Sequence, residues 1–235
     1  MAIILSLETS SSICSVALHD NESLLVVLEL HQEHAHASKL AVLIDKAIQL
    51  AGIQKDELGA VAVSCGPGSY TGLRIGTSTA KGLCYALSIP LVAVGTLDVM
   101  ASVVSGFNIE NAWLCPMMDA RRMEVYCTLY DEDHKMMRAV EAKVIDEKSF
   151  QDELKSRRIL FFGNGAMKCQ NVIVHQNAVF IDGIYPSARQ VGVLAARKVA
   201  RAETEDLMGF EPFYLKDFVA KKSANLISSM TNKSE

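Results

Sequence analysis

The chain has 235 residues, half of them hydrophobic and 21% charged, with a formal net charge of -4. That balance supplies a buried core and excludes a disordered chain, while the acidic excess argues against a surface whose main task is to grip nucleic acid. Such a length admits one large domain or two lobes of roughly 100 residues each.

The first segments, Ala2–Leu7, Ile13–Leu18 and Leu24–Leu30, are apolar and strand-like. Polar clusters at Thr9–Ser12 and His19–Glu22 separate them, which predicts an antiparallel meander. The start does not read as a signal peptide, because the first basic residue is Lys39 and Glu8 interrupts the apolar run. No run reaches the ~18 apolar residues of a membrane span. His31, His34 and His36 lie beside Glu33, but no pair has the i,i+4 spacing of a helical metal site.

A helix is predicted over His36–Ala51, closed by Gly52. Leu40, Ala41, Leu43, Ile44, Ala47, Ile48, Leu50 and Ala51 cover an arc of about 180° of it. A helix resting on one sheet needs only about 100°. The excess calls for a covering helix of the same chain or for another protein.

Ala60–Cys65 reads as a buried strand, Gly66–Gly72 as a glycine-rich loop, and a helix follows from Thr71 to Leu87. Glycines there let backbone N–H groups approach an anion at the helix N-terminus, with Ser69 or Thr71 as cap. A plain tight connection is equally open, because the spacing is that of neither known phosphate-binding glycine motif. Ser69 does not sit in a nucleophile elbow. Gly72, Gly76, Thr79, Gly82 and Ala86 form a stripe of small residues along this helix, on which a second helix could come close. Pro90–Val94 reads as a strand, and a short helix follows Thr96.

The order then recurs. Trp113–Met118, Val125–Tyr130 and Met136–Val144 read as strands, and Asp146–Lys155 as a helix capped by Asp146. Ile159–Phe162 and Ala178–Ile181 read as strands, and Ser187–Arg201 as a helix. Each half is close to βββ-α-β-α-β-α, which predicts two α/β lobes, each a mixed sheet flanked by helices, facing across a cleft. Glu8 and Asp119 end the first strand of each half, where two-lobed nucleotide-binding enzymes hold a hydrated metal at the phosphates. Arg121 and Arg122 follow in a turn without glycine and could pair with Asp119 or Glu124, or bind an anion. The six cysteines, at 14, 65, 84, 115, 127 and 169, have no C-x-x-C spacing and read as buried reduced thiols of a cytoplasmic protein.

Four motifs resemble one family. Cys65-Gly66-Pro67-Gly68-Ser69-Tyr70-Thr71-Gly72-Leu73-Arg74-Ile75-Gly76 is similar to G-P-G-S-[FY]-T-G-[LV]-R-I-G. Asp119-Ala120-Arg121-Arg122-Met123-Glu124-Val125-Tyr126 is similar to D-A-R-x-G-E-V-Y, His36 and Leu40 match a histidine-led first helix, and Pro212–Lys216 matches P-x-Y-L-[KR]. These are motifs of the TsaB/YeaZ family, in the glycoprotease-like branch of the actin/hexokinase/Hsp70 ATPase superfamily.

The resemblance implies a two-lobed actin-like fold, with a first lobe over 1–104, a second over 105–204 and a tail over 205–235 returning to the first lobe. It implies a non-catalytic subunit that pairs with the catalytic paralogue TsaD, recruits the P-loop ATPase TsaE, and reaches adenosine 37 of tRNA through that complex. Alone, the chain is expected to form a homodimer. The implied partner interface is His36, Leu40, Leu43, Ile44 and Ala47 of the first helix with Gly72, Leu73, Gly76, Thr79, Ala80 and Leu83 of the second. A nucleotide or anion would meet Glu8, Thr9, Gly66, Gly68, Ser69, Asp119 and Arg121. No metal, catalytic residue or cofactor is expected, with weak ATP or ADP binding left open. Met123 in place of the turn glycine and Glu8 in place of aspartate weaken the expectation of ATP hydrolysis. The competing readings are a stand-alone ATPase or small-molecule kinase of the same fold, and a metalloprotease.

Overall fold

The computed structural model describes residues 3–108 and 111–216. Ala2, expected in the first strand, and residues 217–235 of the expected tail lie outside the described residues. The first sheet holds β1 (Ile3–Glu8), β2 (Cys14–Asp20), β3 (Ser23–Leu30), β4 (Leu58–Gly66) and β5 (Leu91–Gly95), in the order β3-β2-β1-β4-β5. β1 runs antiparallel to β2 and parallel to β4, so the meander and the β-α-β units share one sheet. The second sheet holds β6 (Trp113–Asp119), β7 (Glu124–Cys127), β8 (Glu141–Val144), β9 (Ile159–Phe162) and β10 (Ala178–Ile181), in the order β10-β9-β6-β7-β8. Read from β8, it has the same order and the same strand directions as the first. The architecture is the two-lobed actin-like one, two mixed sheets flanked by helices.

Among the described residues, five α-helices accompany the sheets: α1 (His36–Ala51), α2 (Tyr70–Leu87), α3 (Thr96–Ser105), α4 (Gln151–Ser156) and α5 (Ala188–Ala200). α1 and α2 lie on the first sheet, and Leu40, Ile44, Ala47, Ile48, Ala80 and Cys84 join the core of Leu5, Leu7, Val16 and Val63. Each fully buried aliphatic side chain contributes roughly 1.5–3 kcal/mol. Gly52 ends α1 in the left-handed conformation (φ 68°) that glycine adopts without cost.

α5 does not stay with the lobe that precedes it. Val191, Ala195 and Ala196 pack on Ile4, Ala60, Ala62, Val92 and Val94 of the first sheet. In return, Leu97, Met100, Ala101 and Val104 of α3 pack on Leu114, Met118, Tyr130 and Phe162 of the second. Each lobe thus lends one helix to the core of the other.

Three elements differ from expectation. The strands predicted to Tyr130 and from Met136 shorten to β7 and β8, with Tyr130 continuing only as single bridges to Leu114 and Met136. Asp146 caps no helix; its carboxylate accepts from Ser149 Oγ (2.8 Å) and Lys148 N (3.0 Å) within a turn. Phe150 then takes a left-handed φ of 62° and α4 begins after it. Its ring is buried edge-on against Phe161 at 5.2 Å, so core packing overrides the local helix signal.

Candidate functional site

The end of β1 is closed on itself. Glu8 Oε1 accepts from Ser10 N and Ser10 Oγ, both at 2.5 Å, and Oε2 accepts from Ser64 Oγ on β4. The residue is fully buried, and burial pushes its carboxyl pKa above the ordinary value of 4.5 against those hydrogen bonds. The longer side chain thus turns inward to the serines. Thr9 is buried too, and its hydroxyl donates to Gly72 O at 2.8 Å.

The glycine loop leans on that turn. Ser69 N donates to Ser10 O at 2.7 Å, and Ser69 Oγ caps α2 by accepting from Gly72 N. A Cβ on Gly68 would meet Ser10 O at 2.5 Å, one on Gly72 would meet Thr9 O at 2.0 Å, and one on Gly76 would meet Thr9 Oγ1 at 2.2 Å. Gly68 and Gly72 admit the chain's own backbone, and Gly76 admits the Thr9 side chain. In the second lobe, a Cβ on Gly163 would meet Met117 O at 2.4 Å, and one on Gly165 would meet Met118 C at 2.7 Å. Gly66 is buried under the C-terminal segment, with Phe213 O at 2.6 Å from its missing Cβ.

Asp119 is exposed at the end of β6. Its Oδ1 accepts from Lys168 Nζ and from Arg121 N (2.9 Å), and its backbone N–H donates to Asn164 Oδ1 at 3.0 Å. Lys168 Nζ also donates to Arg122 O (2.7 Å) and Glu124 O (2.6 Å), stapling the turn from below. Arg121 and Arg122 take left-handed φ values of 70° and 46°, a conformation disfavoured by roughly 1–2 kcal/mol per residue away from glycine. Asp119 pairs with Lys168, a partner that sequence reasoning did not propose.

Between the lobes lies a cleft of about 770 Å³. Gly68, Ser69, Asp119 and Arg121 line it, together with Ser12, His34, Asn164 and Tyr126. Glu8, Thr9 and Gly66 of the anticipated anion site do not. One wall, Phe213–Lys216, comes from the C-terminal segment and was not foreseen, although the P-x-Y-L-K motif marked the place. Among the described residues, no group of three His, Cys, Asp or Glu side chains could hold a metal. Nor is any described helix long and apolar enough to cross a membrane.

The helical surface is smaller than the sequence suggested. His36, Leu40, Ile44, Ala47, Gly72, Leu73, Gly76 and Ala80 of the expected interface are buried within the chain. His36 is held by its own lobe, with Nε2 at 3.2 Å from Ile13 O. What remains outward is Val42 (52% exposed) and Leu50 (65%) on α1, and Gly82, Tyr85 (77%) and Ala86 on α2, with Leu43, Thr79 and Leu83 half-buried beside them. Gly82 stands apart from Gly72 and Gly76, since a Cβ there would meet nothing within 4 Å.

Residues 29–224 match the family model described as TsaD: tRNA N6-adenosine threonylcarbamoyltransferase. The chain is 26% identical to the tRNA threonylcarbamoyladenosine biosynthesis protein TsaB of Escherichia coli, over 93% of this chain and 96% of that protein. It is 27% identical to the protein of the same name in Bacillus subtilis, over 96% and 98%. Among solved structures it is similar to YeaZ from Pseudomonas aeruginosa, with a TM-score of 0.76, 25% identity, and coverage of 92% of this chain and all of that one. A match over most of the chain, with TsaB relatives along nearly their whole length and a YeaZ fold, means that this chain belongs to the tRNA N6-adenosine threonylcarbamoyltransferase family, on its TsaB/YeaZ branch.

Proposed function

We propose that this chain takes part in tRNA threonylcarbamoyladenosine biosynthesis as a non-catalytic subunit, binding the catalytic paralogue TsaD through the outward faces of α1 and α2. The observation that carries this reading is Gly82. A glycine inside a helix costs roughly 1 kcal/mol relative to alanine, and among the described residues no contact calls for one there. On the same helix Tyr85 and Ala86, and on α1 Val42 and Leu50, lie open to solvent. A helix from another protein approaching Gly82 closely accounts for both. Without that partner, a second copy of the chain would use the same face. The subunit activates by binding TsaD better in its competent conformation, since only differential affinity shifts such an equilibrium. TsaE would join the assembly, and tRNA would be reached through it.

A catalytic role has less support. The carboxylate at the end of β1 is consumed by Ser10 and Ser64, and the loop glycines are filled by the chain's own backbone. The cleft retains Ser69, Asp119 and Arg121, which leaves weak ATP or ADP binding as the second reading; titration calorimetry with and without Mg²⁺ decides it.

The test is pairing with TsaD for the wild type, Val42→Asp and Gly82→Trp, followed by reconstituted tRNA modification with TsaE. Both variants are expected to keep the native circular dichroism and to lose at least roughly tenfold in affinity, with modification falling in step. Native-like variants that pair normally, or a chain that modifies tRNA unaided, would remove the proposal.

A further inference from the structure

After α5, the described part of the C-terminal segment travels across the first lobe. Glu205 N donates to Leu91 O of β5 at 2.9 Å, and Lys81 Nζ of α2 donates to Met208 O (3.2 Å) and Phe210 O (3.0 Å). Phe213 N donates to Cys65 O at 2.7 Å, and its carbonyl fills the space left by Gly66. The Tyr214 ring rests on Tyr70 with centroids 5.0 Å apart. Every one of these anchors belongs to the first lobe. Two residues later, Lys216 Nζ donates to Glu124 Oε2 on the second lobe's β6–β7 hairpin. Consecutive residues therefore hold both lobes while forming one wall of the cleft.

We propose that residues 210–216 act as a strap that ties the Asp119–Glu124 hairpin to the first lobe and so holds the two sides of the cleft together. The inference rests on contacts within the chain and stands apart from the pairing reading.

The test is hydrogen–deuterium exchange on the full chain, comparing the wild type, the double variant Tyr214→Ala with Lys216→Ala, and the charge-swapped pair Lys216→Glu with Glu124→Lys. An exposed ion pair alone contributes little, and the aromatic contact adds to it. In the double variant, the hairpin amides are expected to exchange roughly fivefold faster, with α1 and α5 unchanged. In the charge-swapped pair they are expected to stay within about twofold of the wild type. Unchanged hairpin exchange in the double variant overturns the strap. So does acceleration that spreads to α1 and α5, or one that the charge swap fails to prevent.

Discussion

The two sheets share one strand order and one pattern of directions, yet they differ in what surrounds them. In the first lobe, β1–β5 run for five to nine residues, and β3 and β4 lead into helices of sixteen and eighteen residues. In the second, four of five strands have four residues, α4 has six, and a single 3-10 turn at Met167–Cys169 follows β9 where the first lobe has α2. The shared topology makes the cleft. Among the described residues, the two longest helices, α1 and α2, lie on the first sheet. The same contrast recurs within α2, where Gly76 serves the chain itself and Gly82 does not.

Substitutions can break that contrast. The largest effect is expected at Gly76. In Gly76→Leu, a side chain must enter space held by Thr9, whose hydroxyl is already committed to Gly72 O. Overpacking of this kind lowers unfolding free energy by about 3 kcal/mol, as denaturant melts would show. A near-neutral result would mean that the Thr9 turn yields easily and that the glycines are not required by packing.

Glu8 probes the closed end of β1. Its folded pKa is raised by burial, so the charge is tolerated less well in the folded chain than in the unfolded one. The stability associated with its protonated form is present below pH 4.5 and is lost as pH rises through the folded pKa. Glu8→Gln removes that loss while an amide still meets the two serines. The variant is expected to gain on the wild type steadily above pH 4.5, measured by urea melts from pH 4 to 8. Parallel stability curves would show that the hydrogen bonds offset the desolvation.

Gly82→Ala is the mildest test. It should raise the stability of the isolated chain by about 1 kcal/mol, since alanine restores helix propensity where a Cβ has open space. Destabilisation would show that the chain itself uses the glycine, and the main support for a helical partner would go with it.

Much of this was legible before any coordinates. The αβ pattern of both halves could be read because each strand or helix carries its own periodicity, and α1 and α5 begin and end within a residue of expectation. Asp119, Arg121, Gly68 and Ser69 could be placed at a cleft because motif and strand end coincide. Glu8 and Thr9 could not be excluded from it, since their partners Ser10, Ser64 and Gly72 are set by strand pairing and loop packing. On the helices, periodicity identified apolar arcs but not which part of each arc the chain covers for itself. Gly72, Gly76 and Gly82 look alike in a helical wheel and differ only in their neighbours.

The elements, their order and the family follow from hydrophobic period, turn chemistry and motif spacing, which are local properties of the chain. The exchange of α3 and α5 between lobes, the inward turn of Glu8 and the place of residues 213–216 in the cleft wall do not. Each of those outcomes depends on contacts between segments far apart in the chain, and the competition among such contacts is settled by packing.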